Sequence, residues 1–435
     1  MGGLLAARVL ADHFERVTVV ERDRFPTEVA QRKGVPQGRH AHGLMAGGCR
    51  VLERLFPGFC AEMVARGAVS GDVGQVIRYW VSGVRFTPVE SGLHSLLVSR
   101  PLLETHVRER VLALKNVHAK DDCDVLGLLG NAERIRGVRI RARSGARPEQ
   151  RIEADLVVDA SGRGSRMPEW LTALGLPPPE QENVRVDVGY TTCLYRRKPG
   201  HLAGQHGVIV AAVPPNRRCG VAVALEGDRF IVTLAGYLGD HAPATHEGLV
   251  EFARGLPSND IHELLRNAEP CSEPVTATFR DSQRRRYEHL RRFPEGLLVM
   301  ADAICSFNPI YGQGMSVAAL EAELLDRCLR GGTFWLWREF FARAAKIIDV
   351  PWSIAVGGDL GFAEVAGERT LASRVLGAYL LRVQRAAAED PRAALAFLRV
   401  VQMVAAPSTL LRPSLMARVL LRRPALAAPQ QLACD

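Results

Sequence analysis

The stretch LLVMADAICSFNPIYGQGM, residues 297–315, decides the fold. Leu297–Met300 is an apolar run of the kind buried on both faces of a parallel sheet, and Asp302 follows it directly. Asn308-Pro309 then leads to Gly312-Gln313-Gly314 and Met315, which open a helical pattern reaching about Arg330. The two glycines let the backbone come within hydrogen-bonding distance of a ligand, and the helix start favours negative charge. An acid at the strand end can hold a polyol hydroxyl. Strand, acid, proline, GxG and helix in that order are costly to assemble by chance.

Two more stations precede it. Leu156–Asp159 (LVVD) is a second buried strand, and DASGRGS (Asp159–Ser165) follows as a tight turn whose amides can face an anion. At the start, the Gly3–His13 segment reads as a helix, and VTVVE (Val17–Glu21) as a strand closed by an acid. Gly3 to Glu21 has the spacing of the back half of a GxGxxG unit. In such a unit the last glycine permits close helix-to-strand packing, the helix start faces a pyrophosphate, and the acid takes ribose hydroxyls. Met1 falls inside that fingerprint, so its first strand and first two glycines are not in this sequence, and a start upstream of Met1 is expected.

Segments from about 72 to 98 and 184 to 237 alternate in short strands, including Val208–Val213 and Phe230–Leu234, and read as an antiparallel sheet. After about residue 345 the chain is helical and rich in Ala, Leu and Arg. The expected architecture is α/β: a Rossmann-like domain in three pieces (1–71, 98–183 and 275–345), an inserted antiparallel-sheet substrate domain (72–97 and 184–274), and a helical C-terminal region (346–435).

With 435 residues, 47% hydrophobic and 24% charged, the chain can bury more than one core and is neither disordered nor membrane-spanning in composition. The net charge of +9 comes mostly from dispersed arginines, and aromatics at 6% are too few for base-stacking platforms, so nucleic acid is not an expected partner. Nine scattered cysteines without a CxxC pair suggest neither a disulfide framework nor a metal site. No secretory signal is readable, and the cytoplasm is the expected compartment.

RKGVPQGRHAH (Arg32–His42), the DASGRGS turn and the three ordered stations resemble class A flavoprotein monooxygenases of the p-hydroxybenzoate hydroxylase fold, and more narrowly the lasalocid-type polyether epoxidase branch. The resemblance covers most of the chain. It implies FAD as a non-covalent cofactor, with NADPH or NADH as electron donor, directly or through a separate flavin reductase. It also implies roles. Gly3 opens the pyrophosphate helix, Glu21 takes the adenosine ribose, and Arg32 and Arg100 lie beside the cofactor. Asp159 belongs to a turn shared by FAD and NAD(P)H, Asp302 takes the ribityl chain, and Pro309, Gly312, Gln313, Gly314 and Met315 surround the isoalloxazine edge. One departure is Ala301, where the family usually has glycine before the acid.

The implied activity transfers one oxygen atom to a lipophilic small molecule, by epoxidation or hydroxylation, in secondary metabolism. Epoxidation needs no protein base. Phenol hydroxylation benefits from one, for which His40 and His42 are the candidates. A base-assisted aromatic hydroxylase, a prenyl-lipid reductase of the same fold and a non-catalytic ligand-binding relic are the alternatives. WLWR (Trp335–Arg338) lacks the Ile-Pro ending of the halogenase signature, and its tryptophans read as packing residues. The Leu376–Arg423 segment alternates apolar stretches with arginines and reads as helix packing, with a cavity lid or membrane contact as the alternative.

Overall fold

A computed structural model describes residues 1–145 and 148–421. Arg422 and Arg423, counted above with the basic C-terminal segment, lie outside the described residues.

Helix α1 (Gly2–Leu10) buries Leu4, Leu5, Ala6, Ala7 and Val9, a nearly all-round apolar surface that suits a helix enclosed by protein. Strand β1 (Val17–Val20) follows. Strands β2 (Ile77–Val81) and β3 (Val84–Arg85) at one edge of the large sheet come next, then helix α2 (Arg100–Leu112) capped by the Ser99 hydroxyl. Strand β4 (Val117–Lys120) pairs in parallel with β1, Val17 opposite Val117. Strand β5 (Val157–Asp159) pairs in parallel with β11 (Leu297–Val299), 140 residues on, Val157 opposite Leu297. That pairing sets the second and third stations side by side. Among the described residues no strand joins the two parallel pairs, and Val19, Val20, Val157 and Val158 remain half-buried where their edges meet a cavity.

Strands β6 (Gln181–Arg196), β7 (Gly207–Val210), β8 (Arg218–Leu225), β9 (Arg229–Gly236) and β10 (Val275–Arg285) form the bulk of an eight-stranded sheet. With β11 (Leu297–Val299) belonging to the parallel pair and β12 (Cys305–Ser306) at the edge, the sheet runs β12-β10-β6-β9-β8-β7-β2-β3. It is antiparallel except where β7 runs parallel to β2, so the sheet expected to be antiparallel is mixed. Its alternation sorts two surfaces. Ala222, Ala224, Phe230, Val232 and Leu234 pack against Leu249, Phe252, Ile261 and Leu264 of two covering helices. Cys219, Val221, Val223, Leu225, Ile231, Thr233 and Ala235 face the cavity instead. The Phe230–Leu234 run therefore lines the cavity through Ile231 and Thr233, while its aromatic and Leu side chains serve the core behind.

Helix α3 (Gly314–Leu329) is buried along most of its length, and α4 (Leu336–Asp359) follows. Trp337 is a packing residue, 5.7 Å from Phe293 between ring centroids and donating its indole N–H to Glu295 at 3.1 Å. Trp335 is not: it sits 43% exposed with φ +58°, ahead of the helix. Helices α5 (Leu371–Ala386), α6 (Pro391–Val401) and α7 (Pro413–Leu420) complete the fold. No helix among the described residues is long and apolar enough to cross a membrane.

Phe341 of α4 is 2% exposed and packs against Tyr287 and Phe293, with centroids 5.1 and 5.2 Å away. Phe341→Ala should cost about 3 to 5 kcal/mol of stability through the cavity it leaves. Denaturant unfolding measures this, and a loss under about 1 kcal/mol would show that the cluster is not the joint between α4 and the parallel strands.

Candidate functional site

A cavity of about 2740 Å³ runs from the start of α1 to the C-terminal helices. Every residue assigned above to the cofactor lines it: Gly3, Glu21, Arg32, Arg100, Asp159, Asp302, Pro309 and Gly312–Met315, with His40 and His42 further along.

At one end an ion cluster is built around Arg32, whose side chain is 9% exposed. Its Nε donates to Glu104 Oε1 at 2.7 Å, and its Nη1 lies 3.0 Å from Glu21 Oε2 and 3.5 Å from Asp23 Oδ2. Arg100 reaches the other Glu104 oxygen at 3.2 Å. Burial opposes ionisation of Glu104, but the Arg100 and Arg32 guanidinium groups pull the other way and hold the carboxyl below its usual range. Glu104 was not singled out from sequence, although its position four residues after Arg100 on one helix face carried the signal.

The Ala301-Asp302 turn follows β11. Ala301 adopts φ +57°, a left-handed conformation that glycine would enter freely. Its methyl group is accommodated because Gly2 sits against it, where a Cβ on Gly2 would come within 2.7 Å. The Ala301 N–H donates to Glu321 Oε2 of α3 at 2.6 Å. Glu321 is fully buried, and burial pushes its carboxyl up to about 8, so it is neutral at neutral pH. Asp302 lines the cavity, and burial raises its pKa against the pull of Arg100. Asp159 shapes its own turn, accepting from the Ser161 N–H at 2.9 Å and from the Ser165 hydroxyl.

Farther on, Gly312 takes φ +64°, and the Gln313 Oε1 is buried without a partner among the described residues. A cavity-facing carboxylate at Asp302, an orphaned acceptor at Gln313, an acid at the end of β1 and a glycine-opened backbone between them are a donor and acceptor set that fits a long, polyhydroxylated, anionic cofactor such as FAD.

His40 Nδ1 lies 2.8 Å from Thr192 Oγ1, which pairs with Thr233 at 2.6 Å, and its ring meets Tyr190 edge-on at 4.5 Å. His42 Nδ1 is 2.9 Å from the His40 carbonyl oxygen and so donates to it. Burial, reinforced by Arg39, pushes His40 down to about 4. Burial and then Arg100 push His42 down to about 3. Both imidazoles are neutral.

A second polar group was missed in the sequence because its members are far apart. Asp359, at the end of α4, accepts on Oδ1 from Asn308 Nδ2 at 2.9 Å, Tyr237 at 3.0 Å and Tyr311 at 3.2 Å. Its Oδ2 is buried without a partner among the described residues. Burial raises its carboxyl to about 6 against those three donors. Gly358 must lack a side chain, since a Cβ there would lie 2.1 Å from the Tyr311 hydroxyl. Tyr237, Asn308 and Tyr311 all line the cavity.

Fold and site together define a class: this is the α/β fold of FAD-dependent monooxygenases and halogenases of the p-hydroxybenzoate hydroxylase type, with a helical C-terminal region. Among solved structures the chain is similar to flavin-dependent brominase Bmp2, in a triple mutant (TM-score 0.67, 13% identity, 94% of each chain). It is also similar to PqsL, a probable FAD-dependent monooxygenase from Pseudomonas aeruginosa (TM-score 0.61, 18% identity, 83% of this chain and 95% of that one). In sequence it is 33% identical over 387 residues to Protein Rv3254 of Mycobacterium tuberculosis, covering 85% of this chain and 80% of the relative, and it belongs to the same family as that protein. It is 24% identical over 349 residues to kynurenine 3-monooxygenase of Salinispora tropica, covering 76% and 70%. No family model matches the chain.

Because the folded pKa of Glu321 lies near 8, above its value of 4.5 when free, the unfolded chain loses this proton first as pH rises, and stability falls across that window. Glu321→Gln should flatten the decline between about pH 5 and about pH 8 by roughly 2 to 4 kcal/mol. Urea unfolding at both ends of the range reads this, and an unchanged slope would mean that Glu321 is ionised in the fold.

Proposed function

We propose that the protein is an FAD-dependent monooxygenase that transfers one oxygen atom to a lipophilic small molecule. The observation that carries this is the continuity of the cavity. The same space that holds Glu21, Asp302 and the Gly312–Met315 helix start extends over the apolar face Val221, Val223, Leu225 and Ile231. Bound and reduced, FAD would supply the electrons that activate dioxygen, one atom of which is transferred to the substrate while the other leaves as water. Glu21, Asp302 and the backbone of Gly312–Met315 would hold the cofactor, the start of α3 would stabilise negative charge on its ring, and the sheet face would exclude water and orient the substrate.

Within that class we infer epoxidation or hydroxylation of an alkene or polycyclic compound in secondary metabolism, in keeping with the resemblance to lasalocid-type epoxidases. NADPH or NADH is the proposed electron source, directly or through a separate flavin reductase, and the cytoplasm the proposed compartment. Neutral His40 and His42, with pKa values pushed far below their usual range, are poor proton acceptors, which supports a reaction without an essential imidazole base. One observation favours base-assisted aromatic hydroxylation instead. Asp359 is raised to about 6, near the operating pH that suits a general base, and its donors Tyr237 and Tyr311 line the cavity.

Two measurements test this reading. Purified protein should bind FAD without a covalent link, and Asp302→Ala should weaken that binding by about 1.5 to 3 kcal/mol, the worth of a hydrogen bond to a charged group. Titration by flavin fluorescence reads this, and unchanged affinity would remove Asp302 from the cofactor site. The second supplies reduced FAD, oxygen-18 gas and a panel of alkenes and phenols, and follows product mass. Label in alkene products, retained in Asp359→Asn and in the His40 and His42 variants, is the expected result. Label confined to phenols and lost in Asp359→Asn would establish the base-assisted hydroxylase, and no label in any product would favour a reductase or a non-catalytic relic.

A further inference from the structure

Exposed aliphatic side chains concentrate in the C-terminal helices. Of the eleven large hydrophobic residues that stand exposed among the described residues, seven fall between Leu371 and Leu421. The first two turns of α5, Leu371–Ala378, are exposed at every position, with Leu371 at 78% and Val375 at 62%. An apolar helix face ordinarily serves a core, and here the buried face is supplied only later, by Tyr379, Val383 and Ala386. By helical spacing Leu371, Val375, Arg382 and Arg385 share one flank and all four are exposed, while Arg374 at its edge is exposed and also lines the cavity. Residues 371–420 contain seven arginines against Glu389 and Asp390, a surplus of five positive charges within a chain whose net charge is +9. The other side of the same helix opens on the cavity through Leu376, Gly377, Leu380, Leu381 and Gln384.

We propose that this flank of α5 is a peripheral docking surface for an anionic lipid bilayer, placed so that a lipophilic substrate passes from the membrane into the cavity beside it. Leu371 and Val375 enter the headgroup boundary, while guanidinium groups extended from the same flank pair with lipid phosphates. An acidic protein partner would match the charge, but two aliphatic side chains more than half exposed at the end of a helix are matched by acyl chains. The substrate's route rests on the function proposed above; the docking itself does not.

The experiment uses the full chain and sedimentation with vesicles of phosphatidylcholine mixed with phosphatidylglycerol, against phosphatidylcholine alone. The protein should sediment with the mixed vesicles only, and less so as salt rises. Leu371→Ser/Val375→Ser, two positions that do not line the cavity, should lower binding roughly tenfold with an unchanged melting temperature. Arg382→Ser/Arg385→Ser should lower it by a similar factor. Absence of sedimentation with either vesicle overturns the proposal. So does light scattering that shows a dimer broken by the Leu371/Val375 variant in a chain that binds no vesicles, because the flank is then an interface between copies. Binding lost in a chain ending at Leu421, yet kept in both α5 variants, assigns it to the last fourteen residues and overturns it as well. Vesicle binding is read without turnover, so a colourless protein that docks refutes only the function proposed above, and an active one that does not dock refutes only this inference.

Discussion

The hydrogen bond from the Ala301 N–H to Glu321, at 2.6 Å, is the constraint on which the site depends. It connects the turn that presents Asp302 to a helix that is otherwise nearly all apolar in its buried positions. A carboxyl group placed there must be neutral, because an isolated charge in such surroundings is too costly, and its pKa is raised accordingly. The same helix fixes other parts of the cavity. Ser316 Oγ accepts the Met45 N–H at 2.9 Å, which anchors the segment just after His42, and α1 packs alongside so closely that only glycine fits at position 2. Three stretches distant in sequence are therefore held at fixed relative positions by one helix.

The large sheet supplies the complementary wall through its period of two. Since successive side chains point to opposite faces, β8 and β9 can be largely apolar and still divide their residues between a packed core and an open cavity. This explains why a mainly hydrophobic run such as Phe230–Leu234 is found beside the cavity: Phe230, Val232 and Leu234 point away from it. The smaller Val221, Val223, Ile231 and Thr233 that remain leave room, so cavity width follows from the choice of residue at alternate positions.

The parallel strands, their terminal acids and the helix opening at Gly314 were legible because each is local: an apolar run, an acid within two residues, glycine at a helix start. Arg32 and Glu21 were legible as candidate site residues, and both line the cavity, but the carboxylate that joins Arg32 to Arg100 was not, since its meaning lies in the convergence of two guanidinium groups on Glu104. The Asp359 cluster was illegible for a stronger reason. Tyr237 follows a strand, Asn308 and Tyr311 belong to the loop before α3, and Asp359 ends a 24-residue helix, so no spacing rule relates them. The mixed character of the large sheet was hidden likewise, because the parallel pairing of β7 with β2 joins residues 130 apart. Trp335 and Trp337 show the limit of reading residue type alone: they stand two residues apart in one motif, yet Trp337 is core and Trp335 surface.

The Asp359 cluster also bears on how the cavity keeps its shape. Its donors come from the end of a sheet strand through Tyr237 and from the loop before α3 through Asn308 and Tyr311, while the acceptor belongs to α4. Moving any one of these three walls would leave a buried donor or carboxylate oxygen unpaired, and an unpaired buried polar group costs on the order of 1 to 3 kcal/mol, more when charged. One oxygen of Asp359 is already without a partner among the described residues, so the group has little tolerance for a further loss. The polar end of the cavity is thereby fixed by converging hydrogen bonds. The opposite end, at α5, is bounded by a helix whose first two turns are exposed at every position. On the function proposed above, the substrate would then meet a wall held by converging hydrogen bonds at one end of the cavity, and at the other the side chains of α5, which place few directional demands on it.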